Sequence, residues 1–388
     1  MTESPFSIQI DRIRARLRVA IASHRVGQFL ATTLAWRPKS TTLRQLGAGG
    51  ALSVRILQHP RSANGRLHKG AIILNHVDEA VRLFPPLRDL FFLIERHGWY
   101  GINKSRIADI KFVEDGSMLE VSQRLFPRAI MLELSGADFV DESVFRPLSM
   151  RADYHVIQIS CWSRRKRIEL LLQAAAKLPH LSFVHLGHFE QVETSEAITY
   201  RKECLAWADR WCPNVAFPFR HAGSNADIPT RKEEINVWLN RAQLGVLTSA
   251  AEGVNRFKTE CLASDRPFLV PSDAVHPTRK HINPLTGSFF NPTADALADA
   301  ITSALATREQ FQPRKYLLEN SGHGNSLPKL KNALRELCRR NEQAYDFDNI
   351  DWDGRNDNLL WGLPAIDCIR GVMEQFSAVD PSASPRPR

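Results

Sequence analysis

The sequence predicts an α/β protein built from two doubly wound domains, and three observations support this fold class. The chain has 388 residues, enough for two domains at roughly 150 residues each. Short apolar runs alternate with helical patterns along most of its length, which is typical of parallel strand–helix–strand units. Between two such series, the stretch 135–155 contains a turn-forming glycine, several aspartates and Pro147, and it predicts a boundary near residue 150.

The first predicted domain covers residues 1–150. Its strands are short apolar runs, and its helices are longer stretches with apolar residues at helical spacing. We predict strands at RLRVAIAS, SVRILQ, GAIILNH, IADIKFVEDG and RAIMLEL, and helices at SMLEVSQRLF and at LRDLFFLIERHG, which Gly98 would end.

The second predicted domain, residues 151–340, repeats this alternation more clearly. We predict strands at YHVIQISCW, LSFVHLGHF, NVAFPF, LGVLTSA and RPFLVPS. The predicted helices are RIELLLQAAAKLP, ECLAWADRWCP, INVWLNRA, FKTECLASD and DALADAITSALATREQF. In the first of these helices the leucines recur at helical spacing and a proline closes the pattern. A doubly wound sheet of this kind binds its ligand outside the carboxyl ends of its strands.

The C-terminal part of the chain is predicted to return to the first domain. Residues 341–377 contain the Asp-rich stretch YDFDNIDWDGRNDN, which does not fit a calcium-binding loop and is interpreted as a surface connection. The helix-like stretch LLWGLPAIDCIRGVMEQF follows and would cross back onto the first domain. Residues 378–388 are rich in proline and serine, so we predict a disordered tail.

Composition and charge narrow the class of protein. Hydrophobic residues make up 43% of the chain and charged residues 24%, as in soluble globular proteins. Six cysteines without a C-x-x-C pair, no secretory signal and no apolar stretch of membrane-spanning length predict a cytoplasmic protein. The net charge of +9 favours an anionic partner, but no nucleic-acid-binding motif accompanies it, so we predict no nucleic-acid partner. Four arginines leave a peripheral contact with an acidic inner membrane face open: Arg12, Arg14, Arg16 and Arg18.

One segment, Leu244–Val270, has the arrangement expected of an anion site followed by carboxylates. An apolar strand ends at Ser249, and a loop with Glu252 and Gly253 leads into a helix. The glycine allows a ligand to approach the backbone, and the first N–H groups of the helix favour an anion such as a diphosphate. Glu260 lies about two turns into the helix, so both carboxylates can accept hydrogen bonds from sugar hydroxyls in one cleft.

Seven residues separate Glu252 from Glu260, and this spacing resembles the E-x7-E motif of family-4-type retaining glycosyltransferases. The resemblance extends to the surrounding pattern S-x-x-E-G-x-x-x-x-x-x-E-x-x-A-x-x-x-P. The alternative is a pair of solvent-facing glutamates on a helix of an unrelated α/β protein. The resemblance implies that the loop and the helix bind the donor through Glu252, Gly253, Val254, Asn255, Arg256 and Glu260.

A second segment, Ile157–Ala174, resembles the family's strand, loop and basic residue before the first helix of the donor domain. Its run SRRKR places Lys166 where the family has the lysine that meets the donor diphosphate, with Arg165 and Arg164 beside it. The family usually has a Gly-Arg pair where this chain has Ser-Cys, and Ser160 is counted among the donor-binding residues. Cations at a helix N-terminus are repelled by the positive end of the helix dipole, and an anionic ligand would offset this repulsion. The alternative is a solvated charge run.

Three further segments resemble the family. SGADFVDESVFRP is similar to its linker between domains, HLGHFE with Gly187 to the glycine loop of its donor site, and HINPLTGSFFNP to the turn before its last helix. His188 and His281 in these segments are interpreted as surface loop residues, with roles as ligands or bases as the alternative. In the first half, His76 follows an apolar run and is a candidate contact for the sugar or the acceptor, with a turn histidine as the alternative.

The resemblance implies a GT-B-type fold, in which two Rossmann-like doubly wound domains face a central cleft and residues 1–150 form the acceptor side. It implies transfer of a sugar from a nucleoside-diphosphate sugar to an unknown acceptor hydroxyl with retention of configuration, without a metal or other cofactor. Lys166 and Arg165 would stabilise the leaving diphosphate. Glu252 would align the sugar, and Glu260 would hold the ribose. A sugar-nucleotide epimerase or phosphorylase of similar fold and a catalytically silent binding protein stay open as alternatives.

Overall fold

The structure is a computed structural model that describes residues 52–63, 66–96, 105–114, 116–189, 194–220, 231–249, 252–354, 360–361 and 363–379. The predicted strand RLRVAIAS, the four N-terminal arginines, Gly98 and the tail beyond residue 379 lie outside these residues. The described residues form two compact units. Unit 1 is taken from Met1–Ser135 with Leu327–Arg388, and unit 2 from Gly136–Ser326.

Both units contain short strands. In chain order the described strands are β1 Ser53–Gln58, β2 Arg61–Ala63, β3 Arg66–His68, β4 Gly70–Leu74, β5 Phe91–Glu95, β6 Ile110–Phe112, β7 Ile130–Leu132, β8 Tyr154–Cys161, β9 Phe183–His188, β10 Val215–Ala216, β11 Ala242–Val246, β12 Phe268–Pro271, β13 Gly287–Phe290 and β14 Leu360–Trp361. Strands β8 to β13 belong to unit 2, and the others to unit 1.

Helices alternate with these strands. In chain order the described helices are α1 Val77–Leu83, α2 Leu87–Leu90, α3 Leu119–Leu125, α4 Ile168–Lys177, α5 Ser195–Trp211, α6 Lys232–Asn240, α7 Arg256–Ala263, α8 His276–Arg279, α9 Ala294–Ala306, α10 Pro313–Asn320, α11 His323–Arg340 and α12 Leu363–Val379. None of the helices in the described part of the chain has the length and hydropathy that a bilayer span requires.

The described sheet of unit 1 is mostly parallel. Its strand order is β14-β1-β4-β5-β6-β7, and β4 to β7 run parallel to one another. β1 is antiparallel to β4 and to β14. The connection from β1 to β4 is the hairpin β2–β3 instead of a crossover helix, and such a connection suits antiparallel strands. Helix α12 places Ala365, Ile366 and Ile369 in the core of this unit, so the C-terminal segment completes unit 1.

The stretch LRDLFFLIERHG differs from its prediction. Only Leu87–Leu90 is helical, and Phe91–Glu95 forms the inner strand β5 instead of continuing a helix. All five residues of β5 are buried, because the strand lies between β4 and β6 in the sheet. A short apolar run has no periodicity that separates a buried strand from a buried helix, so the helix prediction was wrong beyond Leu90.

The described sheet of unit 2 is entirely parallel, with strand order β10-β9-β8-β11-β12-β13. The chain starts at the centre with β8, builds outwards through β9 and β10, and returns to add β11 on the other side of β8. Helices α4, α5 and α9 contribute to the core on one face, and α6, α7 and α10 to the core on the other. The strand order reverses between β8 and β11, and doubly wound sheets bind ligands at such a point.

The first boundary between the units follows Ser135, earlier in the chain than the sequence suggests. Val140 and Phe145 of the connecting segment are buried in the core of unit 2. Arg314 of unit 2 donates a hydrogen bond to the Phe145 carbonyl at 2.8 Å. The segment that the sequence predicts to contain the domain boundary therefore packs as part of unit 2. The second boundary follows Ser326, so most of α11 belongs to unit 1.

Candidate functional site

The reversal of strand order in unit 2 brings two connections together, one between β8 and α4 and one between β11 and α7. Lys166 Nζ, on the first connection, donates a hydrogen bond to Glu252 Oε1 on the second. Arg165 Nη1 lies 3.8 Å from the same oxygen. The three residues that the sequence predicts to be catalytic are therefore neighbours, although 86 positions separate Lys166 from Glu252.

The pair formed by Lys166 and Glu252 is shielded from water. Lys166 is 8% exposed and Glu252 is 5% exposed, so their attraction is weakly screened while both charges have lost most of their hydration. Removing one partner of such a pair typically costs about 3–5 kcal/mol, because the other charge stays buried. With Arg165 beside them, two cations lie next to one carboxylate among the described residues, and cations at this position favour an anionic ligand.

The backbone of Glu252 is fixed by contacts with α8. Its N–H donates to Thr278 Oγ1 at 3.1 Å, and the Thr278 hydroxyl donates to the Glu252 carbonyl at 2.7 Å. Lys258 of α7 donates from Nζ to the carbonyls of Thr278 and Lys280, at 2.7 and 2.6 Å. Sequence reasoning missed Lys258, because a lysine is rarely fully buried and ordinarily marks the solvent face of a helix.

The turn that carries Lys166 is held by Thr248, the second residue after β11. Thr248 Oγ1 donates to the Lys166 carbonyl at 2.5 Å and accepts a hydrogen bond from Gln158 Nε2 at 2.6 Å. These three residues are buried, so water does not compete for the bonds. The network fixes the turn relative to β8 and β11.

Arg167, directly after Lys166, has a left-handed backbone conformation with φ 49° and ψ 46°. For a residue with a Cβ this conformation costs about 1–2 kcal/mol, and it persists where surrounding contacts hold it. The guanidinium donates from Nε to the Thr248 carbonyl, and from its two Nη atoms to the Asp273 carboxylate at 2.9 and 3.1 Å. Sequence reasoning missed both Arg167 and Asp273, since the run SRRKR reveals neither a backbone angle nor a contact with a distant connection.

Helix α7 begins with the residues that the E-x7-E spacing predicts for donor binding. Asn255 is the N-cap, and its side chain accepts a hydrogen bond from the Lys258 N–H at 3.0 Å. Just before the cap, Gly253 is half-buried and the side chain of Val254 is buried. A helix leaves four N–H groups without an intrahelical acceptor, and the cap takes one of them. The N-terminus of α7 is also the positive end of its helix dipole, which favours an anion.

Glu260 lies on the buried side of α7 beside a second cation. It is 4% exposed, and its Oε1 lies 3.8 Å from Arg256 Nη1. Arg256 also donates from Nη2 to the Gly136 carbonyl at 2.9 Å. Arg256 therefore links Glu260 to the first residue of unit 2.

Ser160 and Gly187 are paired in register on β8 and β9. A Cβ on Gly187 would lie 2.2 Å from the ring of Trp162, so only glycine leaves room for this indole. Ser160 is buried, and its hydroxyl has no hydrogen-bond partner among the described residues. Gly187 thus has a structural explanation, and the donor contacts of Gly187 and Ser160 stay predictions.

The predicted histidines have different surroundings. His281 is buried with Nε2 2.8 Å from Asp138 Oδ1, and burial lowers its pKa against the opposing effect of that carboxylate. Its interpretation as a surface loop residue was therefore wrong, whereas His188 is half-buried at the end of β9. His76 lies in unit 1 directly before α1, with φ 50° and its Nδ1 4.0 Å from the Glu79 carboxylate. A contact of His76 with sugar or acceptor stays a prediction.

Comparison with known proteins identifies the fold. No family model and no curated protein sequence matches the chain. Among solved structures, sucrose-phosphate synthase from Thermosynechococcus elongatus is 18% identical with a TM-score of 0.54, over 69% of this chain and 73% of that chain. Alr3699/HepE from Anabaena in complex with UDP is 14% identical with a TM-score of 0.51, over 66% and 75%. The same protein with UDP and glucose gives a TM-score of 0.51 over 66% and 76%, again at 14% identity.

These likenesses confirm the fold class predicted from the sequence, with two Rossmann-like α/β domains of the GT-B type. At such low identities they concern the fold alone. The roles of the site residues therefore depend on the geometry of unit 2.

Proposed function

We propose that the chain is a glycosyltransferase that moves a sugar from a nucleoside-diphosphate sugar to an acceptor hydroxyl with retention of configuration. The observation that carries this proposal is the meeting of Lys166, Arg165 and Glu252 at the switch point of the unit 2 sheet. Doubly wound sheets bind nucleotides at this point. The residues gathered there combine two cations for a diphosphate with a carboxylate for hydroxyl groups.

The leaving diphosphate would be stabilised by charge and by backbone donors. Negative charge builds up on it as the bond to the sugar breaks, and preorganised cations and N–H groups at that position lower the barrier. Lys166, Arg165 and the first turn of α7 supply these groups. Because Lys166 Nζ now donates to Glu252, the diphosphate would compete with that carboxylate for the ammonium group. The proposal requires no metal or other cofactor.

The two glutamates would hold the hydroxyl-bearing parts of the donor. Lys166 and Arg165 form what we call the cation cluster. Glu252 lies beside it, so it would contact the transferred sugar and align its anomeric carbon. Glu260 lies beside Arg256 on α7, and it would accept hydrogen bonds from the ribose. Retention of configuration rests on the resemblance to the E-x7-E family.

Two solved structures of similar fold support the choice of donor. Alr3699/HepE was crystallised with UDP, and also with UDP and glucose. A fold of this kind therefore accommodates a nucleoside diphosphate together with a sugar. UDP and UDP-glucose are accordingly the first probes for this chain.

The test compares turnover and nucleotide affinity in three variants. Glu252→Gln should slow the release of UDP when water hydrolyses a UDP-sugar, because Glu252 would contact the transferred sugar. It should not weaken UDP binding, because the carboxylate that competes for Lys166 is gone. Glu260→Gln should mainly weaken UDP binding. Glu309→Gln is the matched control, since Glu309 is exposed in unit 2 and belongs to neither connection. Nuclear magnetic resonance of the product would report its anomeric configuration.

The same assay separates the alternatives. If all three variants behaved like the wild-type chain, the assignment of both glutamates would be wrong. UDP binding without release of UDP to water or to any acceptor hydroxyl tested would favour a silent binding protein. Conversion of the sugar without release of UDP would favour an epimerase.

A further inference from the structure

Arg167 joins three connections at the carboxyl edge of the unit 2 sheet. It belongs to the connection after β8, it donates to the carbonyl of Thr248 after β11, and it forms two hydrogen bonds with Asp273 after β12. A planar guanidinium that binds a carboxylate through two N–H groups has a defined orientation. Arg167 therefore holds the three connections in one arrangement.

The backbone of Arg167 is part of this arrangement. Its left-handed conformation, with φ 49°, is unfavourable for a residue with a Cβ. Such conformations persist where neighbouring contacts hold them, and they cluster at functional sites. Here the strained residue lies between Lys166 and helix α4, so its conformation sets the direction in which the chain passes from the Lys166 turn into α4.

Thr248 is held from two sides by the same turn. Its hydroxyl donates to the Lys166 carbonyl, and its own carbonyl accepts from Arg167 Nε. Two hydrogen bonds consequently join the turn to the end of β11, and β11 leads into the connection that carries Glu252.

We propose that Arg167, clamped to Asp273, is a positioning residue that holds Lys166 at Glu252 and so presents the cation cluster to a diphosphate; this rests on the proposed function. Three N–H groups of Arg167 bind protein oxygens, and the Asp273 carboxylate balances its charge. Arg164 is likewise paired, with Glu203 at 2.6 Å. Arg165 and Lys166 are therefore the cations that would meet the ligand.

The variant Arg167→Gly distinguishes a loss of positioning from a loss of folding. Glycine takes positive φ at little cost, so Arg167→Gly keeps the backbone and removes the clamp. Arg167→Lys keeps the charge but cannot form the two-point contact with Asp273. Asp273→Asn weakens the clamp from its exposed end and serves as a second route if Arg167→Gly fails to fold.

The first experiment needs no ligand. Trace acetylation with acetic anhydride, read by mass spectrometry, measures how accessible each lysine amine is. In Arg167→Gly and Asp273→Asn the reactivity of Lys166 should rise several-fold, because its ammonium group is no longer held at Glu252. Lys177, on the surface of α4, should react as in the wild-type chain. Unchanged reactivity of Lys166 in a variant with wild-type circular dichroism would overturn the proposal.

The second experiment uses UDP and inorganic pyrophosphate in calorimetric titrations. Each clamp variant should bind both probes about tenfold more weakly, Arg167→Lys should not restore affinity, and the double variant should lose nothing beyond Arg167→Gly. Wild-type affinity in the clamp variants would overturn the positioning role and leave the proposed function standing. If the wild-type chain bound neither probe, the proposed function would fail, and the acetylation result would still decide whether the clamp holds Lys166.

Discussion

His185 is a polar residue that unit 2 holds in a hydrophobic environment. Its ring lies on β9 with centroid distances of 5.0 Å to Trp162 and 5.7 Å to Phe217. Neither ring nitrogen has a hydrogen-bond partner among the described residues. Burial lowers the pKa of His185 from 6.5 to about 3, so the ring is neutral in the folded chain at pH 7. A buried polar group in this state is a cost to stability that packing must offset.

Stability should therefore depend on pH through His185. In the unfolded chain the ring binds a proton below about pH 6.5, whereas in the folded chain it stays neutral down to about pH 3. Above pH 6.5 the titration of His185 does not lower the free energy of unfolding. As the pH falls from 6.5 towards 3, that free energy decreases, by about 2 kcal/mol between pH 7 and pH 5. Urea unfolding at both pH values should show this extra loss in the wild-type chain and not in His185→Phe. Equal losses in the two proteins would contradict the neutral buried ring.

The sequence predicts a helix or strand correctly where the segment has its own pattern of apolar residues. Helix α4 and strands β8, β9 and β11 could be predicted because their leucine spacing and apolar runs are local signals. The strand Phe91–Glu95 could not, since its run of buried residues has no period that distinguishes strand from helix. The resemblance to the E-x7-E family names Lys166 and Glu252 as candidates, and the structure brings the two side chains into contact. Arg167 and Lys258 depend on contacts between connections that only the folded chain creates.

Two N-caps in unit 2 provide a matched test of helix α7. Asn255 caps α7 at the site, and Thr293 caps α9 through a hydrogen bond from the Ala296 N–H at 3.3 Å. Asn255→Ala and Thr293→Ala should each cost about 1 kcal/mol and lower Tm by about 2–4 °C. Only Asn255→Ala should also weaken UDP binding, because fraying disorders the N–H groups that open α7. Equal UDP affinity in both variants would remove α7 from the proposed site.

The residues of the cation cluster and both glutamates all belong to unit 2. A ligand that binds them should slow local opening most strongly in those segments. With UDP bound, amide hydrogen exchange should slow most in peptides that cover 163–167 and 252–260, and less in β4 of unit 1. Protection confined to residues 52–134 would place the nucleotide in unit 1 and contradict the account.

A calorimetric titration tests whether Lys166 belongs to a nucleotide-binding site. The wild-type chain and Lys166→Met are each titrated with UDP, GDP, dTDP and ADP. Lys177→Met, on the exposed end of α4, is the control. We expect the wild-type chain and the control to bind one of these nucleotides equally well, and Lys166→Met to bind it at least about tenfold more weakly, since a charge-assisted contact to the diphosphate is lost. Wild-type affinity in a folded Lys166→Met, or no binding of any nucleotide by the wild-type chain, would contradict the assignment of the site.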